Sequence, residues 1–229
     1  MGIFSREYKF YIKEVGNESI PLEDVIEPAL GGPKWYAKLC PFVGKKKRAI
    51  DLYPRPIART AQSCPAMLEL FKNSFIIKFP CDVILETKED GKYFWQKPSA
   101  TQVLRIVHHP EEQVEFQPPL SSFIMIKFCL PFMFSSPNNK ASFIESTYWK
   151  IQPYKIAPGI LNFRNNKYAV PLHIITFFEK KNKIYEFKKG DPMVLLYTFH
   201  KSTLEIDENL DDSFSKNIIG RTFSHRWGK

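Results

Sequence analysis

Enzymatic chemistry needs a few particular side chains held together, and this chain offers few candidates. Its histidines are His108, His109, His173, His200 and His225, and its cysteines are Cys40, Cys64, Cys81 and Cys129. His109 and Glu112 have a spacing that would share one face of a helix, but Pro110 lies between them and predicts a turn. No two cysteines form a C-x-x-C pair and no Cys–His spacing matches a zinc site, so neither a metal nor a cofactor is expected. His173 stands in an alternating stretch with Ile175 and Phe177, which predicts a satisfied histidine of a core or groove. The chain has no G-x-S-x-G, P-loop or G-x-G-x-x-G motif, and its one glycine pair, Gly31-Gly32, runs straight into Pro33. Acid–base, nucleophilic and metal catalysis therefore lack a local signature, leaving only sites assembled from distant residues.

Binding is better represented. Aromatic residues make up 15 % of the chain: 20 Phe, 10 Tyr and 4 Trp. Such a surplus suits either a Phe-rich core or a surface that meets another protein, where rings are enriched. The closing residues Phe223 to Lys229 carry Arg226 and Trp227, the side-chain types that anchor interfaces, and a free tail gains little from them. Trp149, Arg164 and His173 are the candidates to line a cleft should the chain bind a small molecule. The net charge of +9 raises a nucleic-acid reading. That reading ranks below a protein partner or self-association, because the lysines are scattered among acids and the only tight basic run is Lys45 to Arg48. A membrane is not expected, since the most apolar stretch, Ser122 to Phe134, is interrupted by Lys127 and Pro131. The opening residues MGIFSREYKF do not read as a secretory leader, which predicts reduced, mostly buried thiols in a cytoplasmic setting.

The elements that must position these residues read as β. Eighteen prolines spread from Pro21 to Pro192 exclude long helices. Residues 17–62 read as an extended proline-rich arm that lies on the domain and buries Trp35, Tyr36 and Phe42. One helix is predicted over 65–73, capped by Ser63. Strands follow at 74–80 and 81–87, the latter joined by an Asp90-Gly91 turn to Tyr93-Phe94-Trp95 as a hairpin. Further strands are expected at 124–128, 130–134, 143–149, 159–163, 172–179, 184–187 and 193–199. Turn signals every 8–12 residues along that series indicate a β-sandwich or barrel-like core. A short amphipathic helix is predicted over 202–216. The expectation is a mainly β single domain over 1–229, with its core at 63–200 and a C-terminal helix and tail at 201–229.

Lys188 to Leu196 (KKGDPMVLL) is the most motif-like stretch: Gly190 permits positive φ, Asp191 can bond the turn backbone, and Pro192 opens a strand. It resembles the late strand–turn–strand of the β-clip class, which includes trimeric dUTP-hydrolysing enzymes. That class also carries a Gly-Arg-Ser-Ser stretch and a catalytic Asp. Here no Gly-Arg precedes Ser121-Ser122 and no Asp stands in Gly159 to Asn162, so the resemblance implies a fold and no catalysis. Thr60 to Asp82, Ile156 to Phe163 and Pro171 to Tyr197 resemble uncharacterised proteins of marine tailed bacteriophages and their bacterial relatives, which implies a host-cytoplasm or virion setting and no known activity. The leading expectation is a non-enzymatic structural or interaction protein. The alternative is a nucleotide- or small-molecule-binding β-clip protein with hydrolase activity.

Overall fold

The computed structural model describes residues 8–14, 20–40, 60–96, 103–109, 122–136, 140–157, 159–162, 169–207 and 209. In chain order the elements are β1 (Tyr8–Glu14), α1 (Leu22–Val25), β2 (Ile26–Pro28), α2 (Lys34–Ala37), a 3-10 turn (Ala61–Ser63), α3 (Pro65–Lys72), β3 (Ser74–Lys78), β4 (Val83–Thr87), β5 (Tyr93–Gln96), β6 (Arg105–His108), β7 (Phe123–Ser135), β8 (Lys140–Glu145), β9 (Lys155–Ile156), β10 (Ile160–Asn162), β11 (Val170–Glu179), β12 (Lys183–Phe187), β13 (Pro192–Thr198) and β14 (Ser202–Ile206). The fold is mainly β, as expected. No described helix is long and apolar enough to cross a membrane.

Three sheets share one core. The six-stranded sheet runs β14-β1-β7-β11-β9, with β6 also on β7. The five-stranded sheet runs β10-β8-β13-β3-β2, and the small sheet is β12-β4-β5. Alternation turns Ile124, Ile126 and Phe128 of β7, Ile77 of β3, Val194 and Leu196 of β13, and Leu85 and Phe187 of the small sheet into a single buried cluster. At its centre Phe79 stacks on Phe187 at 4.6 Å, with Phe128 edge-on at 5.7 Å. Tyr154 joins this cluster and donates its buried hydroxyl to the Met193 carbonyl at 2.9 Å. Burial pushes that phenol well above its ordinary pKa, so it stays a neutral donor.

Several expectations are corrected. The predicted strands at 124–128 and 130–134 are one strand, β7. Proline cannot donate to a ladder, yet Pro131 fits because β6 covers residues 126–129, β1 covers 132–135, and the register with β11 shifts between Pro171 and His173. The predicted C-terminal helix begins instead as β14, parallel to β1, while 210–216 lie outside the described residues. Its Thr203 and Ile206 are β-branched, and Leu204 reaches the core. The strand expected over 143–149 ends at Glu145, followed by a turn closed by Trp149 N–H on the Ser146 carbonyl at 2.9 Å. Helix α3 is confirmed, but its N-cap is Cys64 with no side-chain bond, and Ser63 Oγ donates to the Thr60 carbonyl instead. In the arm, β2 joins the five-stranded sheet beside β3, and Tyr36 is buried while Trp35 is not; Phe42 lies outside the described residues. All four cysteines are free thiols, and only Cys81 is buried.

Candidate functional site

Two outer faces carry the residues with functional potential. The first covers the five-stranded sheet. Ile76 and Leu195 point away from the main core and are buried beneath Ala29, with Ile144 and Trp149 packed against them. Phe71 of α3 contacts Trp149 at 5.2 Å, Tyr36 at 4.8 Å and Tyr148 at 5.9 Å. Trp35 lies 6.0 Å from Tyr36 and 6.4 Å from Tyr148 and donates its indole N–H to the Tyr148 carbonyl at 2.7 Å. The loop that presents Tyr148 and Trp149 is tied to β13, because Gln152 donates to the Pro192 carbonyl. Arm, helix and loop thus converge on one ring cluster with an open rim, where Trp35 is 44 % exposed and Tyr148 40 %; Ile151, three residues after Tyr148 in the same loop, is 81 % exposed. Leu30 and Leu68 are also exposed and flank Gly32 and Phe71 in sequence.

The second face is the outer side of the six-stranded sheet. Arg105 pairs with Cys129, and Cys129 pairs with His173, so three strands place the three residues in one row. In the next row Val107, Lys127 and Ile175 stand side by side. His173 does share its face with Ile175 and Phe177. That face is the outer one, however, and His173 is exposed rather than a core residue. A Cys–His pair suggests a nucleophile and base, but the electrostatics oppose it. Burial raises the Cys129 thiol above its ordinary pKa, although Lys127 and Arg105 pull it down. Desolvation, then the charges of Lys127 and Arg105, lowers His173 to about 4. The ring keeps an exposed edge, which caps the size of that shift. At neutral pH the pair is thiol and neutral imidazole, not the thiolate–imidazolium of an activated nucleophile.

The lowered His173 has a stability consequence. Between the ordinary imidazole value of 6.5 and the lower native value, the unfolded chain takes up a proton that the native chain does not. The contribution of His173 therefore falls as pH drops through that window and levels off below it. Urea midpoints measured from pH 8 to pH 4 are expected to decline less steeply in His173→Asn than in the parent. Parallel curves would show that the folded ring titrates normally.

Trp149 and His173 occupy the outer faces of different sheets, so the structure does not bring them into one cleft; Arg164, Arg226 and Trp227 lie outside the described residues. A shallow cavity of about 280 Å³ sits elsewhere, on the outer face of β12-β4-β5, lined by Ile84, Glu86, Phe94, Trp95, Gln96 and Ile184. Among the described residues no group of three or more His, Cys, Asp or Glu is placed to hold a metal ion. Sequence reasoning missed Tyr148, Cys129, Arg105 and Lys127 as site residues, because what unites them is strand register and packing. No family model matches the chain, and no curated protein or solved structure does so either.

Proposed function

We propose that this chain is a non-enzymatic structural or interaction protein that docks a protein surface, a second copy of itself in the first instance, on the aromatic face built from Trp35, Tyr148 and Ile151. The observation that carries the reading is the rim of that cluster. Trp35 and Tyr148 are held in place by packing and by an indole hydrogen bond, yet both leave much of their area in water. A preorganised aromatic anchor loses little side-chain entropy on binding, which is what makes such residues interface hot spots. The hydrolase alternative asks for a cleft with convergent polar groups. The cavity over the small sheet offers one carboxylate and one amide among apolar side chains, which supports contact with apolar surface more than turnover. The phage or bacterial setting implied by resemblance is compatible with an assembly role.

Sedimentation of the purified protein tests this. The parent is expected to self-associate, and Ile151→Asp is expected to weaken association by about 2 kcal/mol or more, near thirtyfold, if the patch centres a hot spot. Its melting temperature should not move, because Ile151 is 81 % exposed. Trp35→Ala should do the same, with a small loss of stability from the missing indole hydrogen bond. A parent that stays monomeric at high concentration, or an Ile151→Asp variant that associates like the parent, overturns the reading.

A further inference from the structure

The outer face of the six-stranded sheet gathers cations that are far apart in the chain. Arg105 comes from β6 and Lys127 from β7, and both electrostatically depress His173 of β11. Most other described lysines near an acid are paired with it, as in Lys9–Glu205, Lys78–Glu27, Lys150–Asp191 and Lys189–Asp24. Among the described residues, Arg105 and Lys127 have no carboxylate partner. Two rings lie further along the same face, since Phe177 pairs with Met125 and Phe123 meets Phe177 edge-on at 6.3 Å. Lys155 of β9 sits 5.7 Å from the Phe123 ring. Glu179, the acid at that end, is neutralised by Lys181. The Cys129 and Met125 rows are four residues apart, about 13 Å at the rise of a strand. Cations thus mark both ends of an apolar strip in which Phe123 and Phe177 are partly exposed and Met125 between them is buried.

We propose that this face binds single-stranded nucleic acid, with Arg105 and Lys127 on the phosphates and Phe123 and Phe177 beneath the bases. The shape of the site selects the ligand. Single exposed ion pairs in water are weak, so a small anion on an open sheet gains little. A polyanion meets several cations at once and releases its counterions on binding. Unpaired bases can also lie on the rings, as they do where proteins hold single strands on aromatic platforms, whereas a duplex hides its base faces. This surface lies on a different sheet from the aromatic docking face, and neither proposal depends on the other.

The test is fluorescence anisotropy of a labelled oligo-dT strand of about 20 nucleotides, titrated with the full chain at several salt concentrations. The parent is expected to bind, with affinity falling linearly in log salt. Arg105→Ala with Lys127→Ala should flatten that slope by about 1.4, roughly 0.7 per lost contact to a single strand. Arg105→Lys should keep the slope, which separates lost charge from a disturbed fold. Phe177→Ala should weaken binding about tenfold at an unchanged slope, as expected for stacking. Ile151→Asp should bind the strand normally even if it no longer self-associates. No binding at low salt, an unchanged slope in the double variant, or equal competition by polyglutamate would overturn the proposal, the last by indicating an acidic protein surface as the occupant.

Discussion

Phe79→Ala is expected to cost about 3–5 kcal/mol, enough to remove a large part of the 5–15 kcal/mol by which domains are ordinarily stable. Phe79 is fully buried, stacks on Phe187 and touches Phe128 edge-on. Those rings in turn contact Tyr154 and Phe178, so the lost side chain leaves a hole walled by rigid aromatics. The backbone cannot move in to fill it. Phe79 N–H donates to the Asp191 carbonyl at 2.9 Å, and its own carbonyl accepts from Gly190 N–H at 2.8 Å, which staples it to the turn before β13. A site that cannot collapse belongs at the upper end of the range. Guanidinium unfolding measures this directly. Phe94→Ala is the control: it removes a ring 57 % exposed on the small sheet and should change stability by no more than about 0.5 kcal/mol. Equal losses in the two variants would mean that the core is not centred on Phe79.

Gly32→Ala is expected to cost about 2–5 kcal/mol, the sum of roughly 1–2 for a left-handed residue with a side chain and 1–3 for overpacking. Gly32 has φ +69°, and a Cβ there would stand 2.7 Å from the Phe71 ring and 2.9 Å from Tyr36. Neither ring has room to retreat. Tyr36 is buried and its hydroxyl donates to the Gln62 carbonyl, while Phe71 is wedged against Trp149. Gly31→Ala supplies the contrast. Its φ of +88° is also left-handed, but open space surrounds the new methyl, so only the conformational part of about 1–2 kcal/mol should appear. The difference between the two variants, read by denaturant midpoint, isolates the clash. Because the displaced rings support Trp35 and Tyr148, Gly32→Ala should also alter tryptophan fluorescence and weaken any self-association through that face. An unchanged emission spectrum alongside a large stability loss would separate the fold from the docking face.

Local chemistry was legible wherever a few neighbouring residues decide the conformation. Gly190 has φ +83°, Asp191 Oδ2 accepts from Lys188 N–H at 3.1 Å, and β13 starts at Pro192, each as the stretch KKGDP predicts. The Asp90-Gly91 turn joins β4 to β5, and Pro65 begins a helix at the expected place. Period-two alternation marks β4, β11 and β12 because each has one face in the core, whereas β3 and β13 are short continuous apolar runs buried on both faces. Where the local signal was short or two-faced, it misled. β6 has only four residues, and β1 lies in a charged opening segment, so neither reads as a strand from sequence alone. Ser202 to Ile206 carries a weak helical stripe, but parallel pairing with β1 makes it a strand.

What only the tertiary structure decided is which distant residues stand side by side. Arg105, Cys129 and His173 are separated by 24 and 44 positions in the chain and become neighbours through the registers of β6, β7 and β11. A one-residue slip of any of these strands would turn its side chain into the core, so no property of the residues alone predicts the row. Trp149 and His173, both legible as candidates, were assigned to outer faces of different sheets by the same rule. The sequence by itself determined the mainly β class, the turns that end its strands, and the surplus of rings that fills the core. Backbone pairing over long loops then decided which of those rings and cations face outward together, because register is a property of two strands and neither contains it alone.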